Sequence, residues 1–158
     1  MWPDTRICDL LGIDHPILLA PMAGTTSPEM VAAVSNAGGL GSHGCATMAP
    51  DKLETEMAAI RKLTNRPVNL NFFCHDPPQM DEVHHKGLLT ALAPHYKAAG
   101  IEAPKDMPVP EFAPFGYAHL DLLLRHPPSV VSFHFGLPED TAVAALKKAG
   151  TTILCSAT

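Results

Sequence analysis

The sequence predicts an α/β fold with a parallel sheet. Short, continuous apolar runs, typical of strands buried on both faces, alternate along the chain with segments whose apolar residues recur at helical spacing. Start and stop signals for helices separate these units, which have similar lengths. Strands that are joined by helices pair in parallel, so this alternation predicts either an open, doubly wound sheet or an eight-fold β/α barrel.

The first unit begins with residues 17–20, a short apolar run that we predict as a strand buried on both faces. Ser27 then offers a hydroxyl group as a helix cap, and Pro28 follows at the first helical position. The two glycines at 38–39 favour a left-handed end of this helix. Residues 40–42 follow as a second, short strand.

The remaining elements follow from the same rules. Predicted helices cover about residues 50–63, 81–99, 118–125 and 138–148, and predicted strands cover residues 68–73, 130–133 and 153–155. We interpret a proline-rich stretch at about residues 101–118 as an irregular insertion within a single domain that spans residues 1–158. A complete barrel needs about 250 residues. Five β/α units therefore fit either an open sheet or a barrel that is cut off after its fifth strand.

Length and charge exclude several classes of protein. The chain has 158 residues, of which 46% are hydrophobic and 17% charged, as expected for a globular domain. Its 11 basic and 16 acidic residues give a net charge of −5 without a basic cluster, which argues against a nucleic-acid binder. No apolar run approaches the length of a membrane span and no signal peptide is evident, so we expect a cytoplasmic protein.

Metal and disulfide sites are not indicated. The four cysteines are widely spaced, and we interpret them as reduced thiols. The histidines show no recurring ligand spacing, so no metal is expected. Cys74 and His75 are adjacent, and neighbouring strand residues point to opposite faces, which argues against a nucleophile and its base.

Three small or flexible residues follow the first predicted strand, where parallel α/β proteins bind their ligands. They are Met22, Ala23 and Gly24. Ala23 and Gly24 have almost no side chain, so a planar ligand could lie close to their backbone and use its N–H groups. The alternative is a sterically tight turn between a strand and a helix.

Asn71 lies within a predicted strand, where asparagine is unfavourable. It is two residues from Asn69, so both amides should point to one face of the sheet. In a barrel that face is the interior, where a carboxamide can offer a donor and an acceptor to the edge of a heteroaromatic ring. The alternative is an internal amide that is bonded to neighbouring backbone.

His134 follows the predicted strand 130–133. An imidazole can be neutral or cationic near pH 7, so His134 could bind an anionic substrate or move a proton. The alternative is a structural histidine that packs between Phe133 and Phe135.

Several segments together resemble one family, the nitronate monooxygenases, formerly called 2-nitropropane dioxygenases. These segments are His15-Pro16-Ile17, Pro21-Met22-Ala23-Gly24, residues 33–42, residues 69–75 and Val131-Ser132-Phe133-His134-Phe135-Gly136. The resemblance spans essentially the whole chain. It implies a TIM (β/α)8 barrel that holds FMN without a covalent bond, and it argues against the open sheet. Family members use molecular oxygen to oxidise alkyl nitronates to carbonyl compounds and nitrite.

The resemblance also implies roles for individual residues. Met22, Ala23 and Gly24 would line the isoalloxazine ring, Asn71 would bond to it, and His134 would face the nitronate. The family's Ala-Gly-Gly-His segment, which carries the histidine usually assigned as the catalytic base, has no counterpart among the 158 residues. Neither do the loops that hold the FMN phosphate. The chain therefore resembles the N-terminal portion of the enzyme, and we expect it to be inactive alone and to self-associate through exposed sheet edges.

Two alternatives to this function remain. A flavin-dependent enoyl or quinone reductase that uses NAD(P)H would contain a similar half-barrel. A non-enzymatic remnant of the family would act as a binding module for a partner.

Overall fold

The computed structural model describes residues 2–76, 81–106 and 114–156. The chain divides into two compact units. The first combines Met1–Asp76 with Ala113–Thr158, and the second is Pro77–Phe112. The predicted site residues all belong to the first unit.

Regular elements alternate along the described residues as the sequence predicts. The helices are α1 (Arg6–Leu11), α2 (Pro28–Asn36), α3 (Pro50–Leu63), α4 (Glu82–Ala98), α5 (Tyr117–Arg125) and α6 (Asp140–Lys148), of which α4 lies in the second unit. The strands are β1 (Gly41–Gly44), β2 (Val68–Phe73), β3 (Val130–His134) and β4 (Thr152–Cys155).

The four strands of the described residues form one parallel sheet in the order β1-β2-β3-β4. A doubly wound sheet reverses its strand order at a switch point, whereas a barrel keeps chain order throughout. The observed order has no reversal. The predicted β/α-barrel class is therefore confirmed over the open sheet, and the sheet corresponds to an arc of such a barrel.

The first predicted strand, residues 17–20, is not a strand. It makes a single parallel bridge, between Leu18 and Leu40. Ile17 and Leu18 are 50% and 40% exposed, so the expected burial on both faces is also wrong. The apolar run is bounded by Pro16 and Pro21, whose nitrogens carry no N–H group, and this limits how far the pairing extends.

One face of the sheet packs against the helices and forms the main core. Its strand residues are Leu70, Phe72, Val131 and Phe133, and its helix residues are Leu53, Met57, Leu122, Leu123 and Leu146. All of these side chains are at most 4% exposed. We call this the helix face of the sheet.

The opposite face changes character along the strands, and we call it the inner face. Near the amino ends of the strands, Leu40 and Val130 join an apolar cluster with Cys8 and Leu11 of α1. The sequence patterns did not predict α1, a helix of six residues. On this face Asn69 is level with Val130, and Asn71, Ser132 and His134 lie farther toward the carboxyl ends.

The second unit contains α4. The Asp81 side chain caps this helix by accepting hydrogen bonds from the N–H groups of Val83 and His84. The helix ends before Gly100, which has a φ of 69°, and the predicted helix at 81–99 is confirmed. Residues 101–106 form no helix or strand, and residues 107–113 of the predicted insertion lie outside the described residues. Among the described residues, no helix is both long and apolar enough to cross a membrane.

Gly41 is required where α2 crosses β1, because a methyl group there would overlap the carbonyl oxygen of Val31. We expect Gly41→Ala to reduce the free energy of unfolding by about 1–3 kcal/mol, since the helix must move away from the strand. Urea unfolding measures this change. The control is Gly87→Ala in α4, where the added methyl group meets no atom within 4 Å, and which we expect to be neutral or slightly stabilising. Equal stability of the two variants would contradict the tight α2–β1 contact.

Candidate functional site

The segment Met22–Gly24 lies against the carboxyl end of β1. A Cβ atom at Gly44 would overlap the backbone of Met22 and Ala23, so glycine is what allows this close approach. Gly44 pairs in register with Asn71 on β2. The structure therefore brings the segment to within one strand of Asn71.

Hydrogen bonds hold this segment in place. The Thr26 hydroxyl donates to the Met22 carbonyl oxygen at 3.0 Å and accepts from the Gly44 N–H group at 3.1 Å. Thr26 is buried, whereas Met22, Ala23 and Gly24 are exposed. Gly24 has a φ of 76°, a conformation that favours glycine. The result is an exposed backbone surface on a fixed support.

Asn71 is buried on the inner face and uses its amide nitrogen within the protein. Its Nδ2 atom lies 2.9 Å from Ser132 Oγ and 3.3 Å from the Ser132 carbonyl oxygen. A carbonyl oxygen can only accept a hydrogen bond, so this contact determines which amide atom is the nitrogen. The sequence predicted that Asn71 offers a ligand both a donor and an acceptor. Because Ser132 already binds the amide nitrogen, only the acceptor oxygen is left for a ligand.

Two serines extend this contact into a network across three strands. Asn69 Nδ2 donates to Ser42 Oγ at 3.1 Å and to Ser132 Oγ at 2.9 Å. We call Ser42, Asn69, Asn71 and Ser132 the polar ladder. The two asparagines share one face, as their spacing predicts. Neither serine was predicted as a site residue, although a small hydroxyl residue between the apolar residues of strand 130–133 was a signal that could have identified Ser132.

His134 lies at the carboxyl end of β3 and is exposed. Its Nδ1 atom is 2.6 Å from Ser156 Oγ, and its ring centroid is 4.1 Å from that of Phe135. Phe133 instead belongs to the core on the helix face. The alternative in which His134 packs between Phe133 and Phe135 is therefore wrong, because successive strand residues face opposite sides of the sheet.

Phe135 adopts a strained backbone conformation next to His134. Its φ is 62°, which is rare for a bulky residue and costs on the order of 1–3 kcal/mol. Its ring contacts Phe73 edge-on, at a centroid distance of 5.0 Å. Because Phe73 and His134 pair in register and share the inner face with Asn71, this aromatic group borders the site.

Ionisable side chains on the helix face are held in their neutral forms. Burial lowers the pKa of His43, although its Nε2 atom is 3.5 Å from a carboxylate oxygen of Glu56. Burial also raises the pKa of Cys45 to about 12 and that of Cys74 to about 11. A protonated thiol is a poor nucleophile, so the pair of Cys74 and His75 remains set aside.

A separate cavity of about 260 Å³ lies among the loop after β2, the start of α5 and the loop before α6. Its lining includes Cys74, Phe115, Tyr117 and Glu139, but none of the predicted site residues. Among the described residues, no group of three or more histidine, cysteine or acidic side chains could hold a metal ion.

A parallel β/α arc with Asn71 and His134 toward its carboxyl edge has the architecture of the β/α-barrel proteins, which bind ligands at that edge. Residues 4–158 match the family model described as nitronate monooxygenase. The chain belongs to the nitronate monooxygenase family, and the predicted resemblance is confirmed.

Individual relatives agree with this assignment. A nitronate monooxygenase of Paraburkholderia phytofirmans is 45% identical over 94% of this chain and 41% of its own length. One of Pseudomonas aeruginosa is 38% identical over 97% of this chain and 44% of its own length. The chain thus spans less than half the length of the curated relatives it matches.

Two solved structures are similar as well. Nitroalkane oxidase from Streptomyces ansochromogenes has a TM-score of 0.76 and 36% identity, covering 96% of this chain and 42% of the oxidase. FabK from Thermotoga maritima has a TM-score of 0.65 and 27% identity, covering 95% of this chain and 36% of FabK.

We expect the Ser156 hydroxyl to donate to His134 Nδ1, which favours the tautomer that carries its proton on Nε2. We expect Ser156→Ala to produce a mixture of the two neutral tautomers. Long-range ¹H–¹⁵N correlation spectra of the imidazole at a pH where it is neutral measure their ratio. Ser156→Thr keeps the hydroxyl group and should preserve the wild-type ratio. An unchanged ratio in Ser156→Ala would mean that Ser156 does not orient His134.

Proposed function

We propose that the protein takes part in FMN-dependent oxidation of alkyl nitronates by molecular oxygen, with carbonyl compounds and nitrite as products. Membership of the nitronate monooxygenase family supports this reaction class. The observation that carries the proposal is the arrangement at the carboxyl edge. There, an exposed and fixed backbone surface, the Asn71 oxygen and the His134 imidazole share one end of the sheet.

The residues present fit the ring of a flavin. Ala23 and Gly24 leave room for a planar ring against their backbone, and hydrogen bonds of the described residues do not engage their N–H groups. The buried Asn71 oxygen is an acceptor that suits a ring N–H group. The chemistry that bound FMN supplies is electron transfer between the nitronate and molecular oxygen.

His134 would bind the nitronate. A nitronate carries its negative charge on the oxygens of the nitro group, and an imidazole can meet these oxygens with an N–H donor in either charge state if Nε2 is protonated. Ser156 occupies Nδ1, so Nε2 is the ring nitrogen left for the substrate. Phe73 and Phe135 would border the substrate with apolar surface.

The segment of the relatives that matches this chain suggests which part of the enzyme these residues supply. These relatives extend well beyond the segment that corresponds to this chain. We infer that residues 1–158 contribute the ring-binding and substrate-facing part of a single FMN barrel, whereas the phosphate loops and the catalytic base belong to the remainder of the family's chain. The 158 residues assayed alone are then expected to bind FMN weakly and to self-associate through β4 and the segment beside β1.

The reaction is tested in the full-length protein that carries this sequence. Oxygen uptake that depends on an alkyl nitronate, with nitrite release and no oxidation of NADH, supports the proposal. Oxidation of NADH or NADPH with an enoyl or quinone acceptor would instead support a reductase. A protein that binds no flavin would support the non-enzymatic binding module.

Asn71→Ala should weaken FMN binding, because the variant lacks the acceptor oxygen. The loss of one hydrogen bond, worth about 0.5–1.5 kcal/mol, corresponds to an increase in Kd of about two- to tenfold. Quenching of flavin fluorescence on titration of FMN measures the Kd. Asn65→Ala, at an exposed position away from the carboxyl edge, is the control and should bind FMN as the wild type does. Unchanged affinity in Asn71→Ala would remove Asn71 from the site.

His134→Ala should lower kcat/KM for the nitronate by about tenfold or more, the range for a lost hydrogen bond to a charged group. Its FMN content should stay at the wild-type level, because His134 faces the substrate and not the ring. Oxygen-electrode kinetics and the absorbance of the purified flavoprotein measure the two quantities. His95→Ala on the exposed surface of α4 is the matched control. Wild-type kinetics in His134→Ala would contradict a role in substrate binding.

A further inference from the structure

The hydroxyl oxygen of Ser132 receives two hydrogen bonds from the polar ladder. Asn69 Nδ2 and Asn71 Nδ2 each lie 2.9 Å from Ser132 Oγ. A serine hydroxyl has two lone pairs that accept and a single proton that donates. Both lone pairs are therefore occupied, and the hydroxyl group can act toward any further partner only as a donor.

The proton of the Ser132 hydroxyl is not bonded to the nearby acceptor in the ladder, Asn69 Oδ1. Asn69 Oδ1 is buried and has no hydrogen-bond partner among the described residues. The Ser132 hydroxyl therefore does not donate to this oxygen. Ser132 is also only partly buried, whereas Ser42 at the far side of the ladder is 1% exposed. The free proton is thus available on the accessible side of the ladder.

We propose that the Ser132 hydroxyl is a ligand-binding donor, which pairs with the Asn71 oxygen to recognise an N–H group next to a carbonyl group. Asn71 Oδ1 accepts from the ligand N–H, and Ser132 Oγ donates to the adjacent ligand oxygen. A lactam or imide edge has this pattern, and the pyrimidine ring of a flavin presents it. This inference rests on the proposed function, and it specifies which protein atoms bind the edge of the flavin ring.

The same geometry gives Asn69 a positioning role. Its amide nitrogen bonds Ser42 and Ser132 at once, so it ties the ligand-facing hydroxyl to the rigid centre of the sheet. Asn71 provides the second bond to Ser132. Two amides on one hydroxyl oxygen therefore determine the direction of its proton before any ligand arrives.

The test compares FMN with N3-methyl-FMN, which lacks the ring N–H group, by fluorescence titration of the full-length protein. Ser132→Ala should raise the Kd for both ligands by about three- to tenfold, as expected for one lost hydrogen bond. In Asn71→Ala, the penalty that methylation causes in the wild type should disappear, because the bond from N3–H is already absent. The two variants thus separate the donor from the acceptor.

Matched variants control for damage to the ladder. Thr151→Val removes a buried hydroxyl group that lies outside the ladder and donates to the Pro128 carbonyl oxygen, and it should leave the Kd for FMN within twofold of the wild type. Ser132→Thr keeps the donor and should restore binding to within twofold. Ser132→Cys keeps the shape with a much weaker donor and should resemble Ser132→Ala, which covers the case in which the alanine variant does not fold. Thermal melting of each flavin-free variant checks folding.

The outcomes distinguish this inference from the proposed function. Wild-type protein that binds FMN, together with Ser132→Ala and Ser132→Cys of unchanged affinity, would overturn the role of Ser132 alone. Equal losses in Thr151→Val and Ser132→Ala would also overturn it, since the loss of affinity would then reflect stability alone. Wild-type protein that binds no FMN would overturn the proposed function and this inference together.

Discussion

Close backbone packing on both sides of β1 is the constraint on which the rest of the structure depends. Gly41 lets the α2 backbone approach the helix face, and Gly44 lets the segment Met22–Gly24 lie on the inner face. A side chain at either position would separate the amino-terminal part of the chain from the sheet. Because Gly44 is in register with Asn71, this packing also determines the spacing of the candidate site.

The two faces of the sheet are built for different purposes. The helix face buries large apolar side chains, which supply most of the hydrophobic free energy of folding. The inner face instead buries the polar ladder, where Asn69 Oδ1 has no partner among the described residues, at a cost on the order of 1–3 kcal/mol. Unfavourable burial of this kind, together with the strained backbone of Phe135, is expected where a structure serves binding more than stability.

Sequence patterns predicted the elements whose type and ends are marked by local sequence signals. The bounds of β2 and α3 match the predicted residues, because a continuous apolar run and clear end signals define them. Residues 17–20 have a similar apolar run, but pairing depends on neighbours that no local pattern reveals. Ser156 was missed for the same reason, whereas for Ser132 the local pattern marks the residue but not its partners. Their partners are brought to them by strand register across 22 to 63 residues of sequence.

The four free thiols differ in exposure, so a reagent can label the edge of the sheet selectively. Cys8 and Cys45 are buried and Cys74 is partly buried, whereas Cys155 at the end of β4 is the exposed member of the set. Maleimide reagents should therefore modify position 155 first under native conditions. Because Cys155 pairs in register with Phe133, a fluorophore attached there would report on the helix face at this edge of the sheet, opposite to His134.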